Sequence, residues 1–170
     1  MSHATPPSSE VPVRGAGLTW EEMEPGSIFK TASRTITESD LMTFVHWGGF
    51  NEPLFYDASH AGAGGYSGRL VPGALVYCLA EGLVLQTNVL HGTGLAFLSM
   101  EVKVLGPTYV GDTLHAVHEV VSARPTSKPG RGIVESRITV RNQRGQDVLV
   151  FTPTRMIRGK DYVEAEPSGH

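Results

Sequence analysis

The stretch from Val71 to Leu90, VPGALVYCLAEGLVLQTNVL, limits what this chain can fold into more than any other. Glu81 is the one charged residue in it. Pro72 stands where the first turn of a helix has no use for its missing N–H. His91-Gly92 offers a stop at the other end. Apolar residues fall on every side rather than on one stripe, which predicts a helix buried nearly all round. Such a helix would run ~27–30 Å, the width of a small domain. A rod that long and that apolar needs something wrapped around it.

A chain of 170 residues fits one domain with a real core. The net charge of −3 gives no basic face for nucleic acid and no polybasic patch for a membrane. The Val71–Leu90 stretch is at the lower edge of membrane-span length. Glu81, Gln86, Thr87 and Asn88 within it, and the lack of a Lys/Arg flank after it, argue against a span. Cys78, the one cysteine, has no intrachain partner and is expected to be a small core residue in a reducing, cytoplasmic setting. Met1 to Glu10 lack the apolar run of a signal peptide and read as tail. The expected division is a disordered tail over 1–16, a single domain over 17–158 and a frayed acidic tail over 159–170.

Between these limits the pattern alternates in kind. Thr19 to Met23 reads as a short amphipathic turn broken by Pro25-Gly26, and Ile28 to Ile36 as a strand. Thr37-Glu-Ser-Asp40 starts a helix, with Thr37 or Ser39 as cap, that carries Leu41, Phe44, Val45 and Gly48 on one face. A glycine-rich irregular region, residues 48–70, leads into the apolar helix; a loop of that length inside a domain is usually functional. Beyond Gly94 the period becomes two. Ala96 to Val104 reads as a half-buried strand, followed by strands over Thr113–Ala123, Ile133–Arg141 and Asp147–Ile157. Asn142-Gln-Arg-Gly145 is a hairpin turn, and Pro153 suggests a bulge or a sheet edge. The order is α+β: an antiparallel sheet curling over one long helix, with an edge strand and apolar rim that call for dimerisation.

Several of these segments together resemble the MaoC-like dehydratases, relatives of (R)-specific enoyl-CoA hydratases with the hotdog fold. Asp40-Leu-Met-Thr-Phe44 is similar to the family's entry helix, and Asn51-Glu-Pro-Leu-Phe-Tyr-Asp57 to its hydratase motif. Arg69-Leu-Val-Pro-Gly73 is similar to the turn into the hotdog helix. Val104 to Leu114, with its Gly111-Asp112, and the Asn142–Gly145 hairpin complete the likeness, which covers roughly residues 26–158. The resemblance implies a hydratase/dehydratase that acts on an enoyl or 3-hydroxyacyl thioester of CoA or an acyl carrier, without a cofactor or metal. It also implies a homodimer or an oligomer of dimers, or pairing with another hotdog subunit. Family hydratases read Gly-Asp-x-Asn-Pro-x-His-x-Asp, with the Asp and His as base and acid for water addition. Here Gly49 and Phe55 hold the Asp and His positions, Glu52 looks like a one-residue insertion, and Pro72 replaces the His before the helix glycine.

The candidates follow from that gap. Glu52 with Asn51 is a substitute site: the acid to move a proton, the amide to orient water. His46 is a further catalytic candidate, and His60 in the loop another; for each the alternative is a surface role. Gly73 and Ala74 are the first N–H donors of the long helix, able to hold a thioester carbonyl as an enolate develops. Arg69 is a candidate for carrier phosphate, and Phe55 and Asp57 for contact with substrate. Glu81 must be paired, hydrogen-bonded or protonated if buried, and resemblance to hotdog thioesterases makes it an alternative catalytic acid. A non-catalytic thioester-binding subunit is the remaining reading. Metal-ligand spacings, a phosphate-cradling loop and a nucleophile elbow are all missing from the sequence.

Overall fold

The computed structural model of the chain describes residues 15–60 and 65–164. The expected tail over 1–16 lies outside these residues up to 14, and the end of the C-terminal tail lies outside them from 165.

Two short strands open the fold, β1 (Ile28–Lys30) and β2 (Arg34–Thr35), where one continuous strand is expected. Thr31 causes the break. Its N–H donates to Ala116 O, and its hydroxyl accepts from Ala116 N–H at 3.0 Å, so a side chain replaces a ladder bond. Helix α1 (Glu38–Gly48) begins at Thr37, whose side chain accepts from Asp40 N–H while the Asp40 carboxylate accepts from Thr37 N–H, a full capping box. Its Leu41 and Val45 are buried. The chain then makes the short helix α2 (Pro53–Tyr56) and a 3-10 turn, Ala58–His60. Helix α3 (Gly73–Leu85) follows, and then β3 (Gly94–Val104), β4 (Thr113–Pro125), β5 (Arg131–Arg141) and β6 (Asp147–Arg158).

The sheet runs β1-β4-β5-β6-β3, antiparallel throughout, with β2 also paired to β4. Alternate residues of its central strands face α3: Leu114, Ala116, His118 and Val120 of β4; Val134, Ser136, Ile138 and Val140 of β5; Phe151, Arg155 and Ile157 of β6. Leu75, Val76, Ala80 and Val84 of α3 close the main core with them, and Leu41 and Val45 of α1 join it. A second, smaller cluster of Met23, Val120, Val134 and Ile157 takes up Trp20, Val89 and Leu90. The antiparallel sheet over one helix is the expected hotdog architecture.

Five expectations need correction. The helix has 13 residues, not 20, and Pro72 is its cap rather than its first residue. It stops because the Thr87 hydroxyl donates back to Val84 O at 2.6 Å and Asn88 adopts φ +62°. Nor is it buried all round: Ala74, Cys78 and Leu85 are exposed along one stripe, so Cys78 is no core residue in the single chain. Strand β3 is not half-buried. Among the described residues it is an edge, paired to β6 alone, and Phe97, Val102 and Val104 on the face shared with α3 are open to solvent. Pro153 lies in an interior strand, where it faces Met100 of β3; the β5–β6 pairs stop at Glu135↔Thr154 and resume at Ile138↔Phe151, leaving the missing N–H unneeded. Finally, the start of the expected C-terminal tail is docked, with Tyr162 against the guanidinium groups of Arg131 and Arg158.

One polar group sits under the helix. Glu81 accepts from Arg155 at 2.5 Å, and the Arg155 guanidinium lies 5.3 Å over the Phe97 ring. His118 stacks flat on Phe29 at 4.7 Å, buried, with Nδ1 unpartnered. Burial, and after it the positive charge of Arg155, push the His118 imidazole down to about 4 from an ordinary 6.5.

Two stability predictions follow. Phe151 is fully buried and packs edge-on against Tyr77, so Phe151→Ala should lower unfolding stability by about 3–5 kcal/mol in denaturant titration. His118 is neutral when folded and takes up its proton near 6.5 when unfolded. Its contribution is therefore complete above pH 6.5 and is lost as pH falls toward 4, about 3 kcal/mol in all. Melting profiles across that range should flatten in His118→Phe; an unchanged profile would refute the assignment.

Candidate active site

A cavity of about 390 Å³ opens at the N-terminus of α3. Leu54 and Phe55 of α2, Leu70, Val71, Gly73 and Val76 around the helix start, Val104 and Leu105 at the end of β3, and Val148 and Leu149 of β6 form its apolar wall. Thr108 and Tyr66 supply the hydroxyls. Pro72 caps the helix with φ −54° and ψ 136° and no side-chain hydrogen bond, which leaves the first N–H groups unspent at the positive end of the helix. Glycine at 73 leaves the approach open: a Cβ there would meet Val104 Cγ2 at 2.9 Å and push that exposed side chain aside. The helix start can therefore present backbone donors to an oxygen that gains negative charge in an apolar enclosure.

Of the residues expected from the sequence, Gly73 and Phe55 line this cavity. Ala74, next along the helix, is exposed and off its wall. Phe55 is the last ring of an aromatic row, 6.3 Å from Phe50, which in turn lies 4.9 Å from Phe44. Gly49, at the family's Asp position, ends α1 with φ +68°, a left-handed cap that favours glycine. Both departures from the family motif thus have structural duties.

The other candidates lie elsewhere. Glu52 is exposed and caps α2 with its backbone alone. Asn51 and His46 share a shallow cleft of about 280 Å³ with Met42, Val45 and Tyr56, separate from the Gly73 cavity. Asp57 accepts from Ser59 N–H at 2.8 Å and Ser59 Oγ at 2.6 Å, and its Oδ2 lies 3.1 Å from His60 Nδ1. The Ser59 bonds, and then His60, hold its carboxyl below the usual range. Arg69 has a mostly buried side chain paired to Glu38. Glu81 is committed to Arg155 and is off the cavity wall, leaving its Oε2 buried without a partner.

The sequence reading missed three features. Arg155 is the partner of Glu81; its signal was a charge on the inward phase of the last strand. Tyr66 and Thr108 reach the cavity through loops, which leave no periodic signal. Asp112 joins two of the motifs: its oxygens accept from Tyr109 N–H at 3.0 Å, Gln143 Nε2 at 2.9 Å and Arg144 Nη1 at 2.9 Å. Burial opposes its charge, but these bonds and the Arg144 cation outweigh that and hold its carboxyl low.

Comparison with known proteins bears on the family and the fold. The chain is 31% identical over 99 residues to a mitochondrial 3-hydroxyacyl-[acyl-carrier-protein] dehydratase of Solanum lycopersicum; the match covers 58% of this chain and 57% of that protein. A MaoC-like dehydratase from Rhodospirillum rubrum superposes with TM-score 0.77 at 24% identity, over 86% of this chain and all of that one. A Mycobacterium tuberculosis protein with a double hotdog fold superposes with TM-score 0.77 at 24% identity, over 93% of this chain and 49% of that one. Residues 24–151 match the family model of the FAS1-like dehydratase domain region, and the chain belongs to that family of hotdog dehydratases.

Proposed function

We propose that the chain binds an acyl thioester with its carbonyl at the Gly73 N–H and interconverts enoyl and 3-hydroxyacyl forms by adding or removing water. The apolar cavity at the uncapped start of α3 carries this reading. When water adds to C3, electron density moves to the thioester oxygen, and the helix N–H groups stabilise the enolate before C2 takes a proton. The proton carriers are noncanonical. Glu52 is the proposed base with Asn51 beside it in sequence, and His46 is the second candidate. Glu81 is the weaker choice, since it is off the cavity wall and held by buried Arg155.

A specific observation favours a second reading, a thioester-binding subunit without turnover. Among the described residues on the cavity wall, Tyr66 is the one ionisable group; carboxylates and imidazoles are absent from it. Such a subunit would act beside a catalytic hotdog partner. Either reading involves a second subunit, a homodimer in the first instance. Strand β3 has a free edge, and Phe97, Val102 and Val104 lie open on the side where α3 shows Ala74, Cys78 and Leu85. The double hotdog protein, of which this chain matches one half, supports a paired arrangement. No helix among the described residues is long and apolar enough to cross a membrane, and a cytoplasmic setting is part of the same proposal.

Hydration of crotonyl-CoA and hydrolysis of acyl-CoA by the purified protein test these readings. Gly73→Val, which keeps the N–H but places a branched side chain at the helix start against Val104, should lower kcat/KM for hydration by about tenfold or more if the thioester carbonyl docks there. Glu52→Gln should abolish hydration and leave binding intact; full activity in that variant would reject Glu52 as base. Binding without turnover in the parent establishes the second reading, and neither binding nor turnover sinks both. Val102→Glu should shift the elution of the protein toward monomer size.

A further inference from the structure

A second cavity, of about 480 Å³, adjoins the Gly73 cavity, and the two share Leu105, Gly106, Pro107 and Val148 as a common wall. Gly106 lines both cavities without a side chain, and a Cβ built there meets nothing within 4 Å, so it projects into open space. The two spaces differ in chemistry. The first is apolar and suits an acyl chain and thioester. The second presents Ser67, Tyr109, Arg144, Gln146 and Asp147. We propose that the phosphopantetheine arm of the thioester crosses the Gly106 ridge into this second cavity, and that Arg144 meets its phosphate. The proposal rests on the thioester reading above.

Arg144 is held but not used up. It donates from Nη1 to Asp112 at 2.9 Å and from Nε to Gln146 Oε1 at 3.1 Å, yet its side chain is 48% exposed. A guanidinium has five N–H donors, so two bonds leave three for an incoming oxyanion in a planar fork that matches phosphate. Asp112, nearly buried, fixes the group in place before any ligand arrives, which lowers the ordering cost of binding. The other carboxylate of this cavity, Asp147, is paired with Arg141 Nε at 2.7 Å and so does not leave an uncompensated negative charge facing the phosphate. Arg69, the cation expected for this duty from the sequence, is committed to Glu38. The Ser67 and Gln146 side chains and the Tyr109 hydroxyl give the amide-rich arm its hydrogen-bond partners.

Coenzyme A and an acyl carrier protein share this phosphopantetheine chemistry. Calorimetric titration with crotonyl-CoA, crotonyl-pantetheine (which lacks the phosphate) and a crotonyl carrier protein separates the parts. Arg144→Gln should weaken crotonyl-CoA about 10–100-fold and crotonyl-pantetheine less than about threefold, and Arg144→Lys should recover most of the difference. Gly106→Val, which raises the ridge, should weaken all three thioesters. The larger loss in Arg144→Gln between coenzyme and carrier names the natural source. Melting curves check that each variant folds, and Arg144→Met carries the test should Arg144→Gln unfold. Equal losses for crotonyl-CoA and crotonyl-pantetheine, no loss at all, or an inert Gly106→Val would overturn the arm assignment while the parent still binds. A parent that binds none of the three overturns the thioester reading and this inference together.

Discussion

The seating of α3 across the concave face of the sheet is the contact on which the rest depends. Leu75, Val76, Ala80 and Val84 meet Leu114, Ala116, Ile138, Val140 and Phe151 in one core. Removing that much apolar surface from water holds the curved sheet in shape. It also fixes where the helix begins. Pro72 gives the first turn its φ and offers neither an N–H nor a side-chain cap, so the helix presents unspent N–H groups at a set point in the domain. The cavity forms there because the ends of β3 and β6 and the α2 loop converge on the same spot. Gly73, with Val104 2.9 Å from where its Cβ would be, keeps the approach open.

Charge inside this core is confined to one place. Glu81 and Arg155 face each other beneath the helix, and His118 lies near enough to feel the Arg155 charge. A buried ion pair contributes little to net stability against an apolar alternative, but losing one partner leaves the other stranded. Removing either Glu81 or Arg155 alone is therefore the costly change. Glu81 also stands apart from the cavity: one of its oxygens is engaged by Arg155, and the residue is off the cavity wall.

Much of this was legible along the chain. The apolar stretch around Leu75–Val84, the period-two pattern of β4 to β6, the capping box at Thr37 and the hairpin at Asn142 are local signals, and each appears where the sequence puts it. The errors were of a different kind. Val89 and Leu90 continue the apolar run but leave the helix, because Thr87 and Asn88 divert the backbone and the second core takes up their side chains. The alternation in β3 predicts a covered face, yet what would cover it is not part of this chain's own core. Asn51, Glu52 and His46 are close in sequence to Phe55, but a short helix turns Phe55 toward the cavity and leaves the others outside it.

The sequence by itself determined the class of the fold and placed the starts of α1 and α3 near Thr37 and Pro72, because these follow from periodicity and from single residues with marked backbone preferences. Which side chains meet around the cavity was decided only by the tertiary structure. Tyr66, Thr108, Val104 and Val148 come from four separate segments, and Asp112 binds Arg144 across two loops. Such meetings depend on strand register and loop path, which long-range packing sets and no local pattern records.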